Sequence, residues 1–146
     1  MRALAIIPFL LLVGCSITSK DDPPPDAPSD TTAPVVGSPS ITGPARFTGG
    51  TVSIRLPASD DHGVTTATAI VTNPDGSITT IALTDGGDGA FIGSFAARAN
   101  VRQDGLAEHY AISMTASDTS GNQSSASGTV DVPAPMLPPG TPEFSP

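Results

Sequence analysis

The chain has no tryptophan, a single tyrosine and a single cysteine. So few aromatic faces leave little for bases or sugar rings to stack on, and one cysteine cannot form an internal disulfide. Stability has to come from burial alone. Basic residues are also scarce: six Lys and Arg stand against 14 Asp and Glu, for a formal charge of −8. That balance excludes nucleic acid, whose phosphates demand cationic side chains, and excludes charge-driven docking on anionic lipid. No apolar run reaches the length of about 20 residues that a helix needs to cross a bilayer. Missing too are Gly-x-Ser-x-Gly, His-Glu-x-x-His and a glycine-rich phosphate loop. An enzyme is not expected.

What is present begins with a positive charge at Arg2 and a short apolar run from Ala3 to Val13, the pattern of an export signal. The run ends at Leu12-Val13-Gly14-Cys15, which resembles the lipobox of bacterial lipoproteins. The resemblance implies that residues 1–14 are a removed leader, that the mature chain begins at Cys15, and that its thiol carries a diacylglycerol with palmitate-type chains. It also accounts for an odd cysteine in an oxidising compartment. Ser16 follows, not the aspartate that signals inner-membrane retention in Gram-negative lipoproteins. The expected location is the exported face of the cell envelope, lipid-anchored, with the outer membrane favoured in a Gram-negative cell and the plasma membrane in a Gram-positive one.

Residues 15–34 read as a tether rich in proline and aspartate, with Pro23, Pro24, Pro25, Pro28 and Pro34 beside Asp21, Asp22, Asp26 and Asp30. Proline-rich chain favours an extended form rising about 3.1 Å per residue, so some twenty residues would reach roughly 60 Å. From Val35 to Val132 the pattern changes to short Val, Ile and Thr stretches of period two between Gly, Asp and Pro clusters. Strands are expected at 35–41, 51–56, 64–72, 77–83, 90–97, 108–117 and 124–132. Turns at Asn73-Pro74-Asp75-Gly76 and at 84–89 separate them. Seven short strands at this spacing predict an all-β, seven-stranded immunoglobulin-like sandwich. Alternation puts Val52, Ile54 and Leu56 inward with Ala67, Ala69, Val71, Ile81, Leu83, Phe91, Phe95, Tyr110, Ile112, Met114, Ala116, Val130 and Val132, and leaves Ile70 outward. With so many alanines the core should be thin, and Phe91 and Phe95 its largest fillers. Residues 133–146 return to proline and small residues and read as a disordered tail.

Tyr110-Ala111-Ile112-Ser113-Met114-Thr115-Ala116-Ser117-Asp118-Thr119-Ser120-Gly121-Asn122 resembles the penultimate strand and following turn of bacterial Ig-like and fibronectin III-like domains. There is no tryptophan on the third strand and no cysteine pair, which sets the chain apart from antibody-type domains. The resemblance implies a structural, adhesion or accessory module and brings no catalytic residues. The expected function is a membrane-anchored, non-enzymatic structural or protein-interaction module of the cell envelope. Its expected partners are the membrane, through Cys15, and another envelope protein. The tyrosine that opens such a strand closes a corner by a hydroxyl hydrogen bond to backbone, the role expected of Tyr110.

The rival reading is a calcium-dependent adhesion or ligand-binding module. In this topology the loops after the second, fourth and sixth strands gather at one end. They hold Asp60 and Asp61, Asp85 and Asp88, and Asp118 with Asn122, the candidate calcium ligands. Turn chemistry alone also accounts for these residues, and no cofactor is required. Arg46, Arg98 and Arg102 fall at the opposite end with Asp75, Asp104 and Glu108. His62 and His109 are expected too far apart to share a metal, and Phe47 is the one exposed aromatic candidate for a sugar.

Overall fold

A computed structural model describes residues 29–136. The expected leader, the lipidation residue Cys15, most of the tether and the tail beyond Met136 lie outside the described residues. Among the described residues eight strands run in chain order: β1 Val35–Val36, β2 Ser40–Thr42, β3 Gly50–Ser59, β4 Val64–Thr72, β5 Ile78–Asp85, β6 Ala90–Ala97, β7 Glu108–Asp118 and β8 Gln123–Val132. Every pairing is antiparallel. One layer is built on β3, flanked by β6 and by β1 and β2; the other runs β5, β4, β7, β8. The last residues of β5, Thr84 and Asp85, cross to pair with Ile92 and Phe91 of β6. The fold is an all-β, Ig-like sandwich.

The first expected strand is divided. Val36 pairs with Ala58 and Ser40 with Arg55, so four steps on the edge strand face three on β3. The extra residue is taken up at Gly37-Ser38-Pro39, where proline can give no ladder donor. Pro57 ends the sequence pattern at Leu56, yet β3 runs past it to Ser59 because this proline sits where it is tolerated. In an antiparallel strand a residue's N–H and C=O point the same way, and the carbonyl of Pro57 accepts from Gly37 N–H at 2.9 Å. The missing donor of Pro57 therefore faces the break between β1 and β2, where it costs no regular ladder bond.

Period two became burial as expected. Val52, Ile54, Leu56, Ala69, Val71, Met114, Ala116 and Val132 are essentially inaccessible, while Ile70 is exposed. The filling of the core differs. Tyr110, not a phenylalanine, heads the fully buried side chains, and Phe95 is only partly buried. β6 pairs with β3 along its length but with β5 only at its start, so Phe95 sits beside an open edge. Its ring leans on Tyr110 with centroids 5.6 Å apart. The Tyr110 hydroxyl accepts from Arg98 N–H at 2.9 Å, closing the loop between β6 and β7.

That loop is further held by Asn100, buried and fully engaged. Its Nδ2 donates to the carbonyls of Leu106 at 2.9 Å and Val132 at 3.1 Å, and its Oδ1 accepts from Arg102 N–H at 2.9 Å. Nothing in the hydropathy pattern marks this residue. Nearby, Gly49 has φ +70°, and a Cβ there would stand 2.4 Å from the Ala97 carbonyl oxygen. Both the left-handed backbone and the close approach require glycine. Gly49→Ala is expected to cost about 1–3 kcal/mol from the backbone alone, read as a lower denaturant midpoint. A midpoint equal to the parent's would mean that this turn relaxes freely.

Candidate functional site

The turns after β3, β5 and β7 meet at one pole, joined by the chain segment that leads into β1. Ala58 N–H donates to the Gly89 carbonyl at 3.1 Å, tying the end of β3 to the turn after β5. Asp60 and Asp85 line one open cleft there with Ala58, Gly63 and Phe91. On the other flank Asn122 Nδ2 donates to the Asp30 carbonyl at 3.1 Å. The turn after β7 thereby grips the incoming chain, and Pro34 just beyond is fully buried. Next to this turn β4 slips register between Val64 and Thr66, and the Thr65 hydroxyl donates to the carbonyls of Ser117 and Asp118.

The six candidate calcium ligands divide by what they touch. Asp118 is buried at 4% exposure and spends its carboxylate within its own turn. Oδ1 accepts from the N–H groups of Ser120 and Asn122, and Oδ2 from Asn122 Nδ2 at 2.8 Å. Burial pushes this carboxyl upward, but those hydrogen bonds, the Asn122 side chain foremost, outweigh it and hold the pKa below the ordinary value. Asp88 is paired with Arg55 at 2.5 Å, and this hydrogen bond lowers its pKa. Asp85 accepts from Gly87 N–H at 2.8 Å and shapes its own turn. Asp60 and Asp61 remain, and two residues not on the sequence-derived list join them. Among the described residues, Asp30, Asp60, Asp61 and His62 each bring one potential ligand atom to within 4.8 Å of the others.

Local turn chemistry builds this cluster. Asp60 Oδ1 accepts from His62 N–H at 2.8 Å and the Asp60 carbonyl from Gly63 N–H at 3.3 Å. Gly63 at φ +85° closes the turn and leaves the imidazole beside Asp61, with Nδ1 3.1 Å from Asp61 Oδ1. The hydrogen bond to Asp61 and the charges of Asp30 and Asp61 raise the His62 pKa above 6.5. By NMR the His62 ring is expected to titrate above that value, and in Asp61→Asn to fall back towards it. A midpoint that ignores the Asp61 substitution would leave the hydrogen bond without effect. The raised pKa implies a contribution to stability that is full below about pH 6.5 and fades as pH rises through the folded value.

The opposite pole holds Arg98 and Arg102, both paired with carboxylates. Arg98 lies 2.9 Å from Asp75. Arg102 Nε sits 3.0 Å from Asp104 Oδ2, and this hydrogen bond with the Leu106 N–H holds the Asp104 pKa down to about 2. His109 pairs with Asp131 at 2.6 Å across β7 and β8. Phe47 is partly exposed, and its carbonyl accepts from Asn100 N–H at 2.7 Å.

No protein-family model matches the chain, and no curated protein matches it. Among solved structures the chain is similar to the crystal structure of the PKD1 domain of Vibrio anguillarum Epp, with 20% sequence identity and a TM-score of 0.42. The likeness covers 73% of this chain and 100% of that one.

Proposed function

We propose that the protein is a lipid-anchored envelope component whose Ig-like domain is a non-enzymatic strut and protein-interaction module. The observation that supports this reading best is where the chain comes in and goes out. It arrives at the pole where Asp30 meets Asn122 and leaves at the pole where the Val132 carbonyl meets Asn100. A domain threaded pole to pole adds its own length to a tether. The 11 residues of β7, at about 3.3 Å each, span roughly 35 Å. With the tether's reach, this would carry residues beyond Val132 well clear of a membrane surface. The acidic surface keeps such a module off anionic headgroups.

Two measurements test the reading together. Mass spectrometry of the N-terminal peptide is expected to find Cys15 bearing lipid. A photoreactive side chain at the exposed Met136 is expected to crosslink to another envelope protein. An unmodified Cys15 would remove the anchor, and a probe at position 136 that labels headgroups would remove the strut.

A further inference from the structure

We propose that Asp30, Asp60, Asp61 and His62 form a binding site for a divalent transition cation of the Zn²⁺ class, which fastens the incoming chain to the turn between β3 and β4. Acidic residues at turns are common, and their crowding alone carries nothing. The deciding atom is Asp30 Oδ2. Its side chain is only 5% exposed, and this oxygen is a buried acceptor with no hydrogen-bond partner among the described residues. The other oxygen, Oδ1, is satisfied by Thr32 N–H at 2.9 Å. A buried carboxylate oxygen without a hydrogen bond is costly unless a charge meets it. Oδ2 is directed at the cluster, 3.4 Å from His62 Nδ1.

The spacing and the donor types identify the ion. Ligand atoms about 2.0–2.1 Å from a tetrahedral zinc stand roughly 3.4 Å from one another. The two separations from His62 Nδ1, 3.1 Å to Asp61 Oδ1 and 3.4 Å to Asp30 Oδ2, already lie near that edge length. Calcium takes oxygen alone and wants six to eight ligands. Three carboxylates and an imidazole are instead a mixed oxygen and nitrogen set, which suits zinc and its neighbours. Arg55, on the strand that leads into this turn, is committed to Asp88, and the only cationic side chain paired with the cluster among the described residues is His62. Because Asp30 belongs to the segment before β1 and the other ligands to the turn after β3, occupancy would fix the direction in which the chain meets the domain.

The test uses the full-length chain in detergent, titrated calorimetrically at pH 7.5 with ZnCl2 and, separately, with CaCl2 and MgCl2. One Zn²⁺ per chain is expected, bound more tightly than calcium, with selective perturbation of the His62 ring resonances in the unsubstituted protein. Asp30→Asn and His62→Gln are each expected to weaken zinc binding more than about tenfold. Asp88→Asn, His109→Gln and Cys15→Ser are expected to leave it unchanged, and circular dichroism without metal is expected to be alike for all. The absence of saturable zinc binding would overturn the proposal, as would affinity that survives both Asp30→Asn and His62→Gln or is lost in His109→Gln or Cys15→Ser. Calcium bound more tightly than zinc would overturn the choice of ion. Since His62 is exposed, His62→Gln and the ring resonances decide the matter even if Asp30→Asn unfolds the chain.

Discussion

Full-length protein carrying Cys15→Ser is expected to move from the detergent phase to the aqueous phase and to lose all incorporation of labelled fatty acid. The size of the effect follows from the arithmetic of acyl anchors. Each buried methylene contributes about 0.8 kcal/mol, a single myristoyl chain binds only marginally, and durable anchoring takes a second hydrophobic signal. A lipidated Cys15 would supply two or three chains at once, and serine supplies none. The apolar run from Ala3 to Val13 contains Pro8 and is too short to span a bilayer, so it offers little to fall back on. Arg98 and Arg102, at the pole opposite Asp60, offer little electrostatic substitute, because they are paired with Asp75 and Asp104. A Cys15→Ser protein that stayed in the membrane as firmly as the parent would identify that run as an uncleaved anchor and end the lipoprotein reading.

The sandwich was legible because its inner faces keep a period of two along most of β3, β7 and β8. Val52, Ile54 and Leu56 alternate with Thr51, Ser53 and Arg55, and only one register buries all three. The same rule placed Ile70 on the outside, where it is found. Edges were not legible. Whether a strand has one neighbour or two depends on the path of the whole chain, so the pattern of β6 could not reveal that Phe95 stands beside an open side while Tyr110 takes the centre. Nor could it reveal that the strand at 35–41 would divide to accommodate one extra residue.

The acidic pole divides along similar lines. Topology foretold that the turns bearing Asp60, Asp85 and Asn122 would meet; Ala58 ties the first two together, and Asn122 ties the third to the incoming chain at Asp30. Which carboxylates stay available is a matter of ångströms. Asp118 and Asp88 are held by partners four and 33 positions away, and only the second of these reaches from a strand, β3, to a turn distant in sequence. Asp30 escaped notice because its neighbours are prolines and threonines, a composition that reads as tether. Its one distinguishing property, a buried oxygen without a hydrogen-bond partner among the described residues, exists only once the chain is folded back against the turn after β7. His62 sits directly after Asp60 and Asp61. The Asp-Asp-His run was the available signal, and it lacked a fourth ligand until Asp30 was in place.

Replacing Tyr110 is expected to produce the largest loss of stability of any single side-chain truncation in the domain. The ring is the foremost fully buried side chain, lies against Phe95 at 5.6 Å between centroids, and carries a hydroxyl bonded to the Arg98 N–H. These roles separate by substitution. Tyr110→Phe keeps the ring and removes only the acceptor, which should cost about 0.5–1.5 kcal/mol, or somewhat more if the Arg98 N–H finds no water. Tyr110→Ala also opens a cavity between the layers, and aromatic truncations of this kind cost about 3–5 kcal/mol. With no disulfide to limit the unfolded state and several core positions filled by alanine, such a loss is a large part of what a domain of this size has to spare. Chemical denaturation of the parent and both variants measures the two steps. The expected order is parent, then Phe, then Ala far below, with the slope against denaturant unchanged while the native and unfolded states keep their exposed areas. If Tyr110→Phe fell as far as Tyr110→Ala, the corner hydrogen bond would outweigh the packing. If neither moved, the loop between β6 and β7 would owe its position to Asn100 alone.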